Sequence, residues 1–225
     1  MNLPKACLLD LDGVLLDTEE LHSEAWSKAA AIYGTKLSEE QLMLLKGRRR
    51  LECAEKIVNW IGKSVTVQDF MNIHKPISTK LMSQTTAISG AEELVKWCFN
   101  NKLLMALVTS SARSSVDLKS SSQTWLNLIQ IRVNGDDSSL KKGKPAPDPY
   151  LLAAKKLNVN PSYCWAVEDS LSGAQSALEA GCKVWILNKK KIYNKNSNRE
   201  LLNKQTHIKS LSELLDKLKK LKENY

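Results

Sequence analysis

The sequence nowhere offers the ~18–20 consecutive apolar residues that a helix needs to cross a bilayer, so no membrane partner is expected. Its opening, "MNLPKACLLD", has one lysine and an early proline and reaches a carboxylate at Asp10. That is too short and too acidic at its end for a signal peptide, and the expected location is the cytoplasm. The five cysteines, at positions 7, 53, 98, 164 and 182, include no CxxC pair and are odd in number. This excludes a disulfide scaffold and a thiolate zinc site; all five are expected to be reduced and structural. Aromatic residues are only 6% of the chain, with no interleaving among basic residues of the kind a single-strand nucleic-acid binder requires. There is no internal repeat.

What is present is the composition of an ordinary soluble protein: 225 residues, 43% hydrophobic and 25% charged. The length fits one globular domain, or one domain with a sizeable insertion. The net charge, 33 − 24 = +9, is concentrated at one end. Residues 188–225 hold eleven Lys/Arg against four Asp/Glu, and the remainder is close to balanced. A basic tail can contact nucleic acid or anionic substrates, but a solvated surface accounts for it, and no nucleic-acid partner is expected. With no sheet-edge or heptad signal, a monomer is expected.

Apolar runs alternate with helical patterns. Residues 6–9 read as a buried strand closed by Asp10 and Gly13, and 103–111, the segment around "IRV" and 164–169 read as further strands. A helix is expected from Thr18 to a stop at Gly34, with more helix over 37–82 capped at Ser38 and Thr66. Helices follow at 92–101 and from an N-cap at Asp148, then at "SGAQSALEAG" stopped by Gly181, before the strand "CKVWIL" and a last amphipathic helix over about 210–222. The segment 188–200 reads as a surface loop. Strand–helix alternation indicates an α/β fold with a Rossmann-like parallel sheet. The helical block 18–88 then interrupts a core made of 1–17 and 89–225.

Three strand-like runs end in reactive groups: Asp10 and Asp12, Thr109, and Glu168 with Asp169. Ligands gather at the carboxyl ends of the strands of open parallel sheets, so these groups are expected in one crevice. Lys144 precedes Pro145, which biases it to an extended backbone and lets its side chain be aimed. Converging carboxylates repel one another unless a cation joins them, and Mg²⁺ takes one or two carboxylates together with waters and phosphate oxygens. Lys144 and the Thr109 hydroxyl can then hold phosphoryl oxygens, which makes a phosphoryl-transfer site. One of the paired aspartates can attack phosphorus while the other moves the leaving-group proton.

Asp10, Asp12 and Gly13 in "DLDGV", Thr109 after "LMALV", Lys144 in "GKPAPDPY", and Glu168 and Asp169 in "VEDSLSGAQSALEAG" resemble the four ordered motifs of the haloacid dehalogenase superfamily, over residues 3–188. Asp12, which the dehalogenase members lack, points to phosphoryl transfer. The resemblance implies that Asp10 forms an aspartyl-phosphate and that Asp12 protonates the leaving oxygen and then activates water. It implies that Thr109, Ser110 and Lys144 hold the phosphoryl group, and that Asp10, the Asp12 carbonyl, Asp169 and Glu168 surround Mg²⁺. It also implies that 18–88 is a small helical cap.

Within the superfamily the chain is similar to the pseudouridine-5′-phosphatase and sugar-phosphatase subgroup, which implies a Mg²⁺-dependent phosphomonoesterase acting on a small phosphorylated metabolite. It is also similar to β-phosphoglucomutase at His22, Lys46, Gly47 and Arg50, which keeps a hexose-phosphate mutase open and makes these four candidate substrate contacts. The run Arg48, Arg49, Arg50 departs from the mutase pattern, which has one arginine preceded by small residues, and favours an anionic substrate. A non-enzymatic protein binding through its basic tail is the third possibility, against which every catalytic position is filled.

Overall fold

The computed structural model describes residues 2–62, 64–187 and 205–223; the loop expected at 188–200 lies outside the described residues. The apolar runs become a six-stranded parallel sheet in the order β5-β4-β1-β6-β7-β8. Its strands are β1 (Ala6–Leu9), β4 (Leu104–Val108), β5 (Ile131–Val133), β6 (Cys164–Glu168), β7 (Lys183–Leu187) and β8 (Gln205–Ile208). β1 lies between β4 and β6 with Ala6 opposite both Leu104 and Cys164, so the three strands end at one level.

Side chains alternate across each strand. Cys7 and Leu9 of β1 enter a core with α5 (Ala91–Asn100) and α9 (Leu211–Glu223). Ala6 and Leu8 enter the opposite core with α7 (Asp148–Lys156) and α8 (Leu171–Glu179). Both faces of the sheet are therefore covered, which is why β1, β4, β6 and β7 are largely apolar runs.

The helical block is α1 (Glu19–Ile32), α2 (Glu39–Leu45), α3 (Arg50–Ile61) and α4 (Val67–Met82). It closes around its own apolar cluster, in which Trp26, Ile57 and Phe70 are buried. The expected caps are in place: Ser38 forms a reciprocal capping box with Gln41, and the Thr66 hydroxyl accepts from the Asp69 amide. Chain entry and exit are tied by an antiparallel pair, β2 (Leu16–Asp17) with β3 (Thr86–Ala87). Thr18 is the N-cap of α1 but makes no capping bond, because its hydroxyl is spent on Asp12.

At α7 the expected cap is displaced by one residue. Pro147 is the N-cap, Asp148 opens the helix, and the Asp148 carboxylate instead accepts from the Lys142 amide at 3.1 Å, fixing the loop that carries Lys144. No helix among the described residues is long and apolar enough to cross a membrane.

Candidate active site

The two aspartates leave β1 in a turn rather than in the strand. The amide of Leu16 donates to the Leu11 carbonyl and that of Gly13 to the Leu16 carbonyl, and the turn needs Gly13 at φ +83. A Cβ at Gly13 would lie 2.1 Å from Asp169 Oδ2, so glycine also lets the β1 turn approach the end of β6.

Asp10 sits at the sheet's end in a nearly dry site. Lys144 donates to Asp10 Oδ1 at 2.6 Å, to the Val108 carbonyl at 3.0 Å and to Glu168 Oε1 at 2.5 Å. Glu168 is fully buried and accepts also from the Tyr150 hydroxyl (2.6 Å) and from Ser170 (3.1 Å). Burial pushes Asp10 up to about 8; Lys144 pulls against it, while the neighbouring Glu168 and Asp12 charges add to the rise. Burial would lower Lys144, but Asp10 and Glu168 outweigh that and hold it protonated. Burial, then Glu19, Asp10 and Glu168, raise Asp169 well above the ordinary carboxylate range.

Oxygens of Asp10, Glu168 and Asp169 all lie within 4.8 Å of one another. That spacing is close to the ~4 Å between opposite ligands of an octahedral Mg²⁺. Three carboxylates served by one buried ammonium also leave negative charge uncompensated. The donor set therefore fits a hard divalent cation. Glu168 accepts three hydrogen bonds from protein donors and orients Lys144, so Asp10 and Asp169 are the less engaged carboxylates toward the ion.

Asp12 has a different environment. Its Oδ1 accepts from Thr18 (2.6 Å), His22 (3.2 Å) and Lys119 (2.6 Å), and its Oδ2 from Ser111 (2.8 Å) and Lys119 (2.7 Å). Burial alone would raise this carboxyl, but Lys119 and then His22 hold it well below the usual range. Adjacent aspartates pushed in opposite directions are suited to different jobs.

The remaining expected residues converge on the same cavity, which encloses about 70 Å³ and is bounded by Asp10, Asp12, Thr109, Ser110 and the cap-side residues His22, Lys46, Gly47 and Arg50. Thr109 is buried, and its Oγ1 accepts from the Ser111 amide at 3.1 Å. The Ser110 hydroxyl donates to the Gly47 carbonyl at 2.7 Å, joining the core to the helical block. Ser172 donates likewise to the Lys46 carbonyl at 2.9 Å. Lys46 pairs with Glu19 at 2.5 Å, and Arg50 donates to Ser115 at 3.1 Å. Trp26 also lines the cavity.

Lys119 was not among the expected site residues. The signal was nevertheless present: Ser115 and Lys119 lie one turn apart on α6 (Arg113–Ser120), in line with Ser111 four residues earlier, just ahead of the helix.

A model of the haloacid dehalogenase-like hydrolases matches residues 7–187. The chain is 30% identical over 183 residues to a bifunctional riboflavin kinase/FMN phosphatase of Arabidopsis thaliana, covering 81% of this chain and 48% of that protein. It thus spans about half the length of that relative. It is 32% identical over 182 residues to a Drosophila melanogaster protein assigned as a pseudouridine-5′-phosphatase, covering 79% of each. Among solved structures, a Thermotoga maritima protein assigned as a β-phosphoglucomutase superimposes with a TM-score of 0.71 at 25% identity, over 98% of this chain and 100% of the other.

Proposed function

The chain belongs to the haloacid dehalogenase-like hydrolase family, and from that premise we propose that it is a Mg²⁺-dependent phosphomonoesterase for a small phosphorylated metabolite. The observation that carries this reading is the pairing of two aspartates with two buried lysines at the ends of β1, β4 and β6: Lys144 with Asp10, and Lys119 with Asp12.

Asp10 attacks phosphorus through a carboxylate oxygen; Asp12, which rests as a carboxylate among its donors, takes up a proton from solvent or from the phosphate of the bound substrate, and the bond from phosphorus to the leaving oxygen breaks as Asp12 passes that proton to it. Asp12 is then a carboxylate, the form in which its four donors hold it. It next takes a proton from the attacking water, which frees Asp10 and regenerates the acid. Bound Mg²⁺, held by Asp10, Asp169 and the Asp12 carbonyl, would supply charge neutralisation of the phosphoryl oxygens. Lys144 orients Asp10 and opposes the burial that raises it, and Thr109 offers a hydroxyl at the phosphoryl position. General acid help at Asp12 is worth ~10²–10⁴ in rate.

We read residues 18–88 as a cap. About 70 Å³ is less than half of the ~150 Å³ of a cavity that holds benzene, which is too little for a whole metabolite. Entry of substrate therefore requires the Ser110–Gly47 and Ser172–Lys46 bonds to break and the helical block to lift.

The mutase remains the second reading, favoured by the likeness to the Thermotoga structure and by Arg50 at the cavity. A phosphate-release screen over sugar phosphates, polyol phosphates and nucleoside monophosphates, with and without Mg²⁺, tests both. Mg²⁺-dependent release is expected. Isomerisation of a hexose phosphate with little net release would establish the mutase, and no turnover on any member would overturn both.

A further inference from the structure

Lys119 is fully buried, yet an ammonium is costly to desolvate and has no packing advantage over leucine or methionine on the inner face of α6. It reaches across 107 positions of sequence to touch both oxygens of Asp12 and the Ser111 hydroxyl. It does not line the cavity. Whatever it does for the reaction, it does through Asp12.

Asp12 receives five hydrogen bonds from four donors, against the roughly four lone-pair directions a carboxylate has. The donors fall into two groups. Thr18 and Lys119 are buried and approach from outside the cavity; His22 and Ser111 line it. The His22 contact is the longest, 3.2 Å against 2.6–2.8 Å for the others. It is the bond most easily exchanged for one to a substrate oxygen, after which Oδ1 faces the reacting group while the buried donors still hold the carboxylate. One helical turn before Lys119, Ser115 accepts from Arg50, so the same stripe of α6 also receives the N-terminus of α3.

We propose that Lys119 is the positioning residue for the proton-transferring carboxylate: it clamps both Asp12 oxygens from behind, so that Asp12 meets the leaving-group oxygen in a fixed orientation. The proposal rests on the phosphomonoesterase reading. Two of the five bonds to Asp12, one on each oxygen, belong to Lys119, and no other described donor bridges the two oxygens. Its loss frees the carboxylate to rotate, and misplacement by about 1 Å costs ~10²-fold in rate.

The test separates proton delivery from everything else. p-Nitrophenolate leaves without a proton, whereas an alcohol needs one, and kcat/KM reports only steps up to departure of the leaving group. For Lys119→Met we expect kcat/KM on the alkyl phosphomonoester that the wild type turns over fastest to fall about 10²-fold, and on p-nitrophenyl phosphate by under about tenfold. Equal losses on both substrates would overturn the assignment. Should Lys119→Met not fold, Lys119→Gln, which keeps a donor for one carboxylate oxygen, is expected to show the same inequality. Failure of both variants to fold would make Lys119 structural only and overturn the proposal. If the wild type releases no phosphate from any substrate, the phosphomonoesterase reading falls instead, so the two failures are distinct.

Discussion

His74 of α4 is fully buried, stacked on Trp26 with ring centroids 3.6 Å apart, and neither ring nitrogen has a hydrogen-bond partner among the described residues. Burial, with Arg50 and His22 nearby, depresses it from 6.5 to about 3. A depressed base binds its proton more readily in the unfolded chain, so stability is full above about pH 6.5 and is lost as pH falls toward 3. With those two values the loss at about pH 5 is ~2 kcal/mol, and it changes little if the folded value is nearer 4. His74→Phe keeps the stacked ring and removes the titration, and no hydrogen bond is lost with the nitrogens. Urea unfolding of both proteins at about pH 7 and pH 5 should therefore show the wild type losing ~2 kcal/mol relative to the variant, which corresponds to ~4–8 °C in melting temperature for a chain of this size. Other groups titrate in both proteins and cancel in the difference. Parallel stability curves would show that His74 has a polar partner or access to solvent, and would refute the reasoning.

Lys144→Met leaves Asp10 and Glu168 buried without their shared cation, and should cost about 3–5 kcal/mol in urea unfolding at neutral pH; a loss below about 1 kcal/mol would contradict the pairing. Gly13→Ala forces a Cβ toward Asp169 Oδ2 at a positive φ, so the Mg²⁺ concentration for half-maximal phosphate release should rise at least about tenfold with the fold kept in circular dichroism. Chelation with EDTA should stop phosphate release and Mg²⁺ restore it; the same ion at about 100 times its Kd should raise the unfolding free energy by ~2.7 kcal/mol, and unchanged melting with and without Mg²⁺ would argue against the carboxylate site.

The sheet was legible because β1, β4, β6 and β7 are buried on both faces and read as apolar runs, and the strand ends were legible because each stops on a group with chemistry. β8 was not: of Gln205–Ile208 only Ile208 is buried, so an edge strand of this kind carries no periodic signal. The pair β2–β3 has two residues per strand, below the length at which alternation can be read. The positions of Asp10, Asp12, Thr109, Lys144 and Asp169 were readable from motif order, but the partners of their side chains were not. Ser110 looks like a phosphate ligand beside Thr109, yet its hydroxyl joins Gly47, 63 positions away. Thr18 looks like a helix cap and serves Asp12 instead. Lys119 lies in the polar segment "RSSVDLKSSS", which suggests a solvated helix; it is buried because Asp12, 107 positions earlier in the chain, offers it a carboxylate. Such pairings are set by tertiary approach, where local preference is overridden at a functional site.

In the proposed reaction, Asp10 carries the phosphoryl group between substrate and water. Rapid acid quench of the full chain during turnover of the best substrate from the screen, followed by peptide mass analysis, should recover phosphorylated Asp10, and Asp10→Asn should give neither the modified peptide nor phosphate release. Phosphate release without any phosphorylated Asp10 at single-turnover times, or undiminished release by Asp10→Asn, would contradict it.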